Sequence, residues 1–296
     1  MKYSRLEKTS PTRIHALFGL FPRALGELLE STLPVLLEQR RQAQERQPGR
    51  KRAVGGGRKR RLLPYQEVLL TLLYLRHNVS HEVVGSMFGV SADTSENTFH
   101  EVIVVLQQVC PSGRWDAEKK WNKREPTWQP ADQDRLLIDS FETPIQRPSL
   151  DDRQRRTYSG KKKRHTLKSQ VVTDGKGEIL ELDTGHRGPK ADIRIYEESG
   201  VEERYPKAHK TADKAYQSSD HQTLHTPHKK PKGGELTPEQ REENRRLSQK
   251  RIFVEHSVRR IKGWRILRED YRLAVGLFAT VAHAVVGLVQ LGRILE

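Results

Sequence analysis

A chain of 296 residues can build one large domain or two ordinary ones with a sizeable core, and two is the expectation here. The formal net charge of +16 and pI near 10.0 point to a polyanionic partner, because Lys and Arg gain affinity by releasing counterions from phosphates. A single cysteine, Cys110, excludes a disulfide framework and a cysteine-based zinc site, so a reducing cytoplasm or nucleoid is expected rather than secretion.

The opening run Met1 to Lys8 has no apolar core of the signal-peptide kind. Residues 12–47 read as helical, with Leu17, Leu20, Leu25, Leu28, Leu29, Leu33 and Leu36 spaced for one apolar face and Pro22 and Pro34 as breaks. Residues 1–48 are taken as an N-terminal helical segment, and residues 49–63 as a basic linker. Arg50, Lys51, Arg52, Arg58, Lys59, Arg60 and Arg61 surround Gly55 to Gly57 there, so the stretch has no core to form and is suited to phosphate-backbone contact. A solvated linker is the plainer alternative, and the glycines lack the spacing of a nucleotide-binding loop.

From residue 64 to 112 the pattern is periodic. Tyr65 to Leu75, His81 to Phe88 and Ala92 to Val109 predict three helices with Leu69, Leu72, Leu73, Val83, Val84, Met87 and Ile103 buried. A turn at Gly89 and an N-cap at Ser91 between the second and third give the sequence form of a helix-turn-helix. The third helix would then offer Asp93, Thr94, Glu96, Asn97 and His100 to bases in a major groove. An ordinary helical hairpin is the competing reading.

Residues 113–133 read as a connection, and residues 134–296 as an α/β domain. Arg135 to Asp139 predicts a buried strand that ends in a carboxylate; Arg164 to Thr173 and Glu178 to Thr184 predict two more, joined by a turn at 174–177. Pro189 to Ser199 reads as a helix and Lys207 to Ala212 as a strand that delivers Asp213. Ser218 to Thr237 reads as a loop, in which His221, His225 and His228 are expected to be solvated rather than to bind zinc. Leu273 to Leu291 is apolar enough to resemble a membrane span, but His283 and Gln290 and the lack of a second span favour a closing helix packed on the core, with no membrane partner.

Glu239 to Lys262 predicts a helix on which Ser248, Arg251, Glu255 and Lys262 fall within about 60° of one another. Such a stripe would hold a divalent metal through Glu255 and grip phosphate oxygens through Arg251 and Lys262. A solvated face of Arg/Glu pairs is the bland alternative. With Asp139 and Asp213 it supplies the three acids of an RNase H-like site, whose hard oxygens select two ions of Mg²⁺ or Mn²⁺.

The runs Ile138-Asp139-Ser140-Phe141-Glu142-Thr143-Pro144, Tyr158-Ser159-Gly160-Lys161-Lys162-Lys163-Arg164-His165, Ala212-Asp213-Lys214-Ala215-Tyr216 and Ser248-x-x-Arg251-x-x-x-Glu255, the last continuing to Lys262, occur in that order. Together they resemble bacterial insertion-sequence transposases of the DDE superfamily, in the branch related to Harbinger elements. The resemblance spans Leu17 to the end and includes the helix-turn-helix. It implies an α+β chain: an N-terminal helix-turn-helix, then an RNase H-like domain with a closing C-terminal helix. It implies Asp139, Asp213 and Glu255 as the catalytic, metal-binding acids, and Ser248, Arg251 and Lys262 as phosphate-positioning residues, with Ser248 standing where the family has Tyr. Ala215 replaces a family Gly, and Asp192 follows Ala191 where the family has His, so the role of Asp192 is open. Lys161, Lys162, Lys163, Arg164 and Lys168 would track a DNA strand toward the acids.

The activity implied is binding of the element's terminal inverted repeats in double-stranded DNA, followed by metal-dependent cleavage and strand transfer to target DNA by a dimer or larger assembly. A catalytically inactive or domesticated DNA-binding protein, and a stand-alone RNase H-fold endonuclease, are the alternatives.

Overall fold

Apolar residues at helical spacing in the first 120 positions become a bundle, because each helix has one face that only another helix can cover. The computed structural model describes residues 9–46, 59–122, 134–217, 221 and 223–295. The expectations placed on Arg50, Lys51, Arg52 and Arg58 lie outside these residues. The bundle comprises α1 (Pro11–Phe18), α2 (Pro22–Glu45), α3 (Pro64–His77), α4 (His81–Phe88), α5 (Ala92–Val109) and α6 (Arg114–Trp121). Helix α3 is buried from Glu67 through Leu75 and forms its centre.

Three expectations for this part are corrected. Pro22 opens α2, but Pro34 lies inside it and does not break it. Proline costs one backbone hydrogen bond, and the buried Leu28, Leu29, Thr32 and Leu36 on either side hold the helix through that loss. Val83 and Met87 are 49% and 53% exposed, because the short α4 turns only Val84 and Gly85 inward. The connection after α5 contains α6, whose Ala117 and Trp121 are buried.

The second part is a mixed sheet built around β1 (Arg135–Pro144) and β3 (Arg164–Asp174). Helix α7 (Asp151–Thr157), which the sequence reading did not anticipate, and β2 (Tyr158–Ser159) lie between them in the chain. Beyond β3 come β4 (Ile179–Arg187), α8 (Asp192–Glu198), α9 (Val201–Arg204), β5 (His209–Thr211) and β6 (Leu224–His225). Strand β1 pairs antiparallel with β3, which pairs antiparallel with β2 and β4; on its other side β1 pairs parallel with β5, and β5 with β6. Three long antiparallel strands, β1, β3 and β4, followed by two parallel ones is the topology of an RNase H-like sheet.

Alternation along β1 splits the core. Leu136 and Ile138 join Val172, Tyr196 and Tyr216 on one face, while Phe141 and Ile145 join Leu167, Val171 and the helical bundle on the other. Asp139 shares the second face, and it stands mid-strand rather than at a strand end, since β1 continues to Pro144. Helix α10 (Pro238–Lys262) starts at a capping box made by Thr237 and Gln240 and lies against β1. Helix α11 (Phe278–Leu295) belongs by chain order to the sheet, yet its buried face joins the same apolar cluster as α1 to α6. Val275–Leu295 is long and apolar enough to cross a membrane, and two thirds of it is buried inside the protein.

Candidate active site

Asp139 is delivered by β1, Asp213 by the turn after β5, and Glu255 by the middle of α10. Asp213 caps the following turn, its Oδ1 accepting the Ala215 N–H at 2.7 Å. The Oδ1 of Asp139 accepts its neighbour's N–H, from Ser140, at 2.9 Å. Burial pushes the Asp139 carboxyl up to about 6; the Arg251 guanidinium opposes this, and the charges of Asp213 and Glu255 add to it. Asp213 and Glu255 are therefore both within electrostatic reach of Asp139.

Arg251 stands among them. Its Nη2 is 3.9 Å from Asp139 Oδ1 and 3.6 Å from Glu255 Oε1, both longer than a hydrogen bond, and its Nε is buried without a partner. Among the described residues, no three His, Cys, Asp or Glu side chains close on a ready coordination sphere. The donor set nonetheless suits a hard divalent cation: it is all carboxylate oxygen, and Glu255 is half exposed and free to turn. Repulsion of the Asp139 charge by Asp213 and Glu255 is the force that such an ion relieves.

Lys262 lies one end along α10, its ammonium 5.6 Å from the Phe141 ring centroid. Burial lowers its pKa, and it feels the charges of Lys162, Asp139 and Glu142. Lys262 thus lies within electrostatic reach of both Asp139 and Lys162. Ser248 is exposed two turns before Glu255 on the same helix. Arg164 is exposed but ion-paired with Asp270 at 2.5 Å.

Lys168, expected to track DNA, is buried instead. Its Nζ is 2.9 Å from Asp192 Oδ1 and donates to the Lys190 carbonyl at 2.7 Å, while Ser140 Oγ donates to the same Asp192 oxygen at 2.8 Å. Alternation along β3 turns this lysine inward although the charge run before it points to solvent. Asp192 is therefore committed to a brace under β1, on the face opposite Asp139. No spacing signal marks it, because Ser140, Lys168 and Asp192 lie on three separate elements.

In the helical part, Ser91 Oγ accepts the Thr94 N–H at 3.3 Å, and Gly89 takes the left-handed conformation (φ 72°) that the turn needs. Asp93, Thr94, Glu96, Asn97 and His100 are exposed along the outer face of α5, while Ser95, Thr98 and Phe99 point inward. Lys59 and Arg61 are exposed beside that helix. Arg60 has another use: it pairs with the buried Glu67 at 3.0 Å and with Glu101 at 2.8 Å, and Arg40 joins the same two acids. The segment expected to be a loop contains β6, which holds His225, and its three histidines point to different partners: His228 to Glu243, His225 to His209, and His221 toward Glu197 and Glu202.

Residues 138–290, which carry all three acids, match the family described as DDE superfamily endonuclease. The chain belongs to the DDE superfamily of endonucleases. Residues 60–112 match the helix-turn-helix of DDE superfamily endonuclease. A transposase described for insertion sequence element IS702 of Microchaete diplosiphon is 33% identical over 236 residues, covering 78% of this chain and 82% of that protein. A transposase described for insertion sequence element IS112 of Streptomyces albus G is 26% identical over 285 residues, covering 96% and 94%. No solved structure matches. Two family matches in tandem make this a DNA-binding, nuclease-type enzyme, and DDE endonucleases depend on divalent metal ions.

Proposed function

We propose that the chain is the transposase of an insertion sequence, which binds the element's terminal inverted repeats and then cuts and joins DNA strands. The observation that carries this reading is Asp139 and Glu255 on either side of Arg251, with Asp213 within electrostatic reach of Asp139, downstream of a helix-turn-helix. Residues 64–112 would serve as the DNA-binding part and residues 134–296 as the catalytic part. Exposed Asp93, Thr94, Asn97 and His100 would read base edges in the major groove, with Lys59 and Arg61 on the flanking phosphates. Arg60, held by two carboxylates, would orient that arm rather than touch DNA.

Asp139, Asp213 and Glu255 would hold two Mg²⁺ or Mn²⁺ ions. Bound there, such ions activate an attacking oxygen and stabilise the leaving one in an in-line displacement. Arg251 and Lys262 would clamp non-bridging oxygens of the scissile phosphate, and Lys161 to Lys163 would steer the strand toward them. Ser248 offers one hydroxyl to a phosphate oxygen. Because two element ends must meet, a dimer or larger assembly on nucleoid DNA in the cytoplasm is expected.

The test uses duplex DNA that carries the element end, a target plasmid and Mg²⁺. Cleavage with joining of the 3′ end to target supports the reading; cleavage without joining favours a stand-alone endonuclease. Glu255→Gln is expected to lower cleavage by more than about 100-fold, beyond the loss typical of a residue that merely supports a ligand. Undiminished cleavage removes Glu255 from the site.

A further inference from the structure

Beyond the acids, an open cleft of about 550 Å³ lies between α7, the end of β4 and the segment after Tyr271. Arg147, Arg153, Arg156 and Arg187 line it, and Ile145, Leu273 and Val275 form its apolar wall. Arg156 and Arg187 continue into a neighbouring hollow with Lys190, and Arg147 continues into another with Arg155, Tyr158 and His165. One basic groove thus runs around α7.

Three of its charges are uncommitted, while Lys190 pairs with Glu198. Arg156 pairs with Asp152, and Arg147 Nε donates to the neutral Gln154, but among the described residues no carboxylate lies within salt-bridge distance of Arg153, Arg155 or Arg187. Apolar groups are interleaved with them in full view of solvent: Tyr158 is 46%, Leu150 56% and Val275 55% exposed. Tyr158 meets His165 edge-on at 5.5 Å, which leaves a ring face open.

Free guanidinia alone fit any DNA backbone. Guanidinia alternating with an exposed ring and an apolar wall fit a single strand, whose bases have faces to offer, and not a duplex, whose bases are stacked on each other. The Lys190 end of the groove touches the Lys168 and Asp192 brace, on the face of β1 opposite Asp139. We infer that this groove is a single-stranded DNA site, with Arg153, Arg155 and Arg187 on phosphates and Tyr158 under a base. The inference rests on the transposase reading for its biological role, though not for the binding itself.

The experiment measures binding of the full chain to a fluorescent oligothymidine of about 12 nucleotides, within the span such platforms cover. A blunt duplex of the same length is measured beside it. Tyr158→Ala is expected to weaken the oligothymidine at least about tenfold, while Tyr158→Phe, which keeps the ring, binds as the wild type does. Combined Arg153→Ala, Arg155→Ala and Arg187→Ala is expected to lower the slope of log affinity against log salt by about 2 for the single strand. All four positions are exposed, so thermal unfolding of each variant should match the wild type and thereby show that the fold is intact. Unchanged oligothymidine binding by Tyr158→Ala, or equal losses on duplex and single strand in the arginine variant, overturns the site. Cleavage of end DNA by the wild type decides the transposase reading separately: a protein that cuts its ends yet ignores oligothymidine refutes the groove alone.

Discussion

Asp139 carries an electrostatic load that no neighbour fully relieves. Its folded-state pKa of about 6 lies above the ordinary 3.8, so the folded chain prefers the protonated form. The associated stability is present below pH 4 and is lost as pH rises through 6, by up to about 3 kcal/mol. Asp139→Asn removes a charge that is costly only when ionised. We therefore expect this variant, in chelator at pH 8, to unfold at a higher temperature than the wild type, and the gap to close near pH 4. A lower unfolding temperature at pH 8 would contradict the stated cause. Added Mg²⁺ should raise the wild type's unfolding temperature at pH 8 and leave the Asn variant's unchanged, because ligand binding to the folded state alone adds stability. The same residue illustrates what sequence could and could not convey. An apolar run meeting an acid located Asp139, whereas its mid-strand position depends on Ser140 to Pro144 continuing the ladder with β3. Polar residues there resemble a strand exit until the partner strand is known.

At the scale of elements, two close approaches fix where the site's scaffold sits. Gly177, at φ 80°, lets the β3–β4 turn meet α10: an added Cβ would sit 2.7 Å from the Phe253 carbonyl oxygen, and Ser257 Oγ donates to the Gly177 carbonyl at 2.5 Å. That contact lies one turn from Glu255 and sets the height of α10 over the sheet. Gly287 does the same for α11, where an added Cβ would lie 2.1 Å from the Cys110 carbonyl oxygen at the end of α5. Backbone cannot yield as a flexible side chain does. Gly287→Ala is expected to cost about 1–3 kcal/mol, read as a lower denaturant midpoint with an unchanged slope. A neutral result would mean that the two helices separate freely. Helix α10 itself was legible from its charge pattern and capping residues, since Thr237 and Gln240 mark its start before any tertiary contact is known. Helix α7 was not, because seven polar residues without an apolar face give no periodic signal.

Across the whole molecule, the helical part and one sheet face share a single apolar cluster, and α11 is its common wall. Polar contacts repeat the link: Gln290 Nε2 donates to the carbonyls of Ile179 at 2.6 Å and Ser112 at 3.2 Å, and His283 meets Ser112 Oγ at 3.0 Å. Calorimetry should accordingly show one cooperative unfolding transition although two families match the chain in tandem. Two resolved transitions would show that α11 does not couple the parts. Such coupling would also hold the exposed face of α5 at a fixed distance from Asp139, since α5 and α11 pack directly.

Sequence by itself determined the three helices of the helix-turn-helix, the main strands and helix α10, the turn and cap at Gly89 and Ser91, and which acids and cations were available for phosphate chemistry. These follow from local periodicity and residue type, which act over a few neighbours. Tertiary structure alone decided that Lys168 is buried against Asp192, that Arg60 is held by Glu67 and Glu101, that the last helix completes the first domain's core, and that unpaired arginines meet Tyr158 in one groove. Each of those depends on pairing between positions far apart in the chain. A side chain's partner is set by which faces the fold brings together, and charge or apolarity at one position carries no record of that.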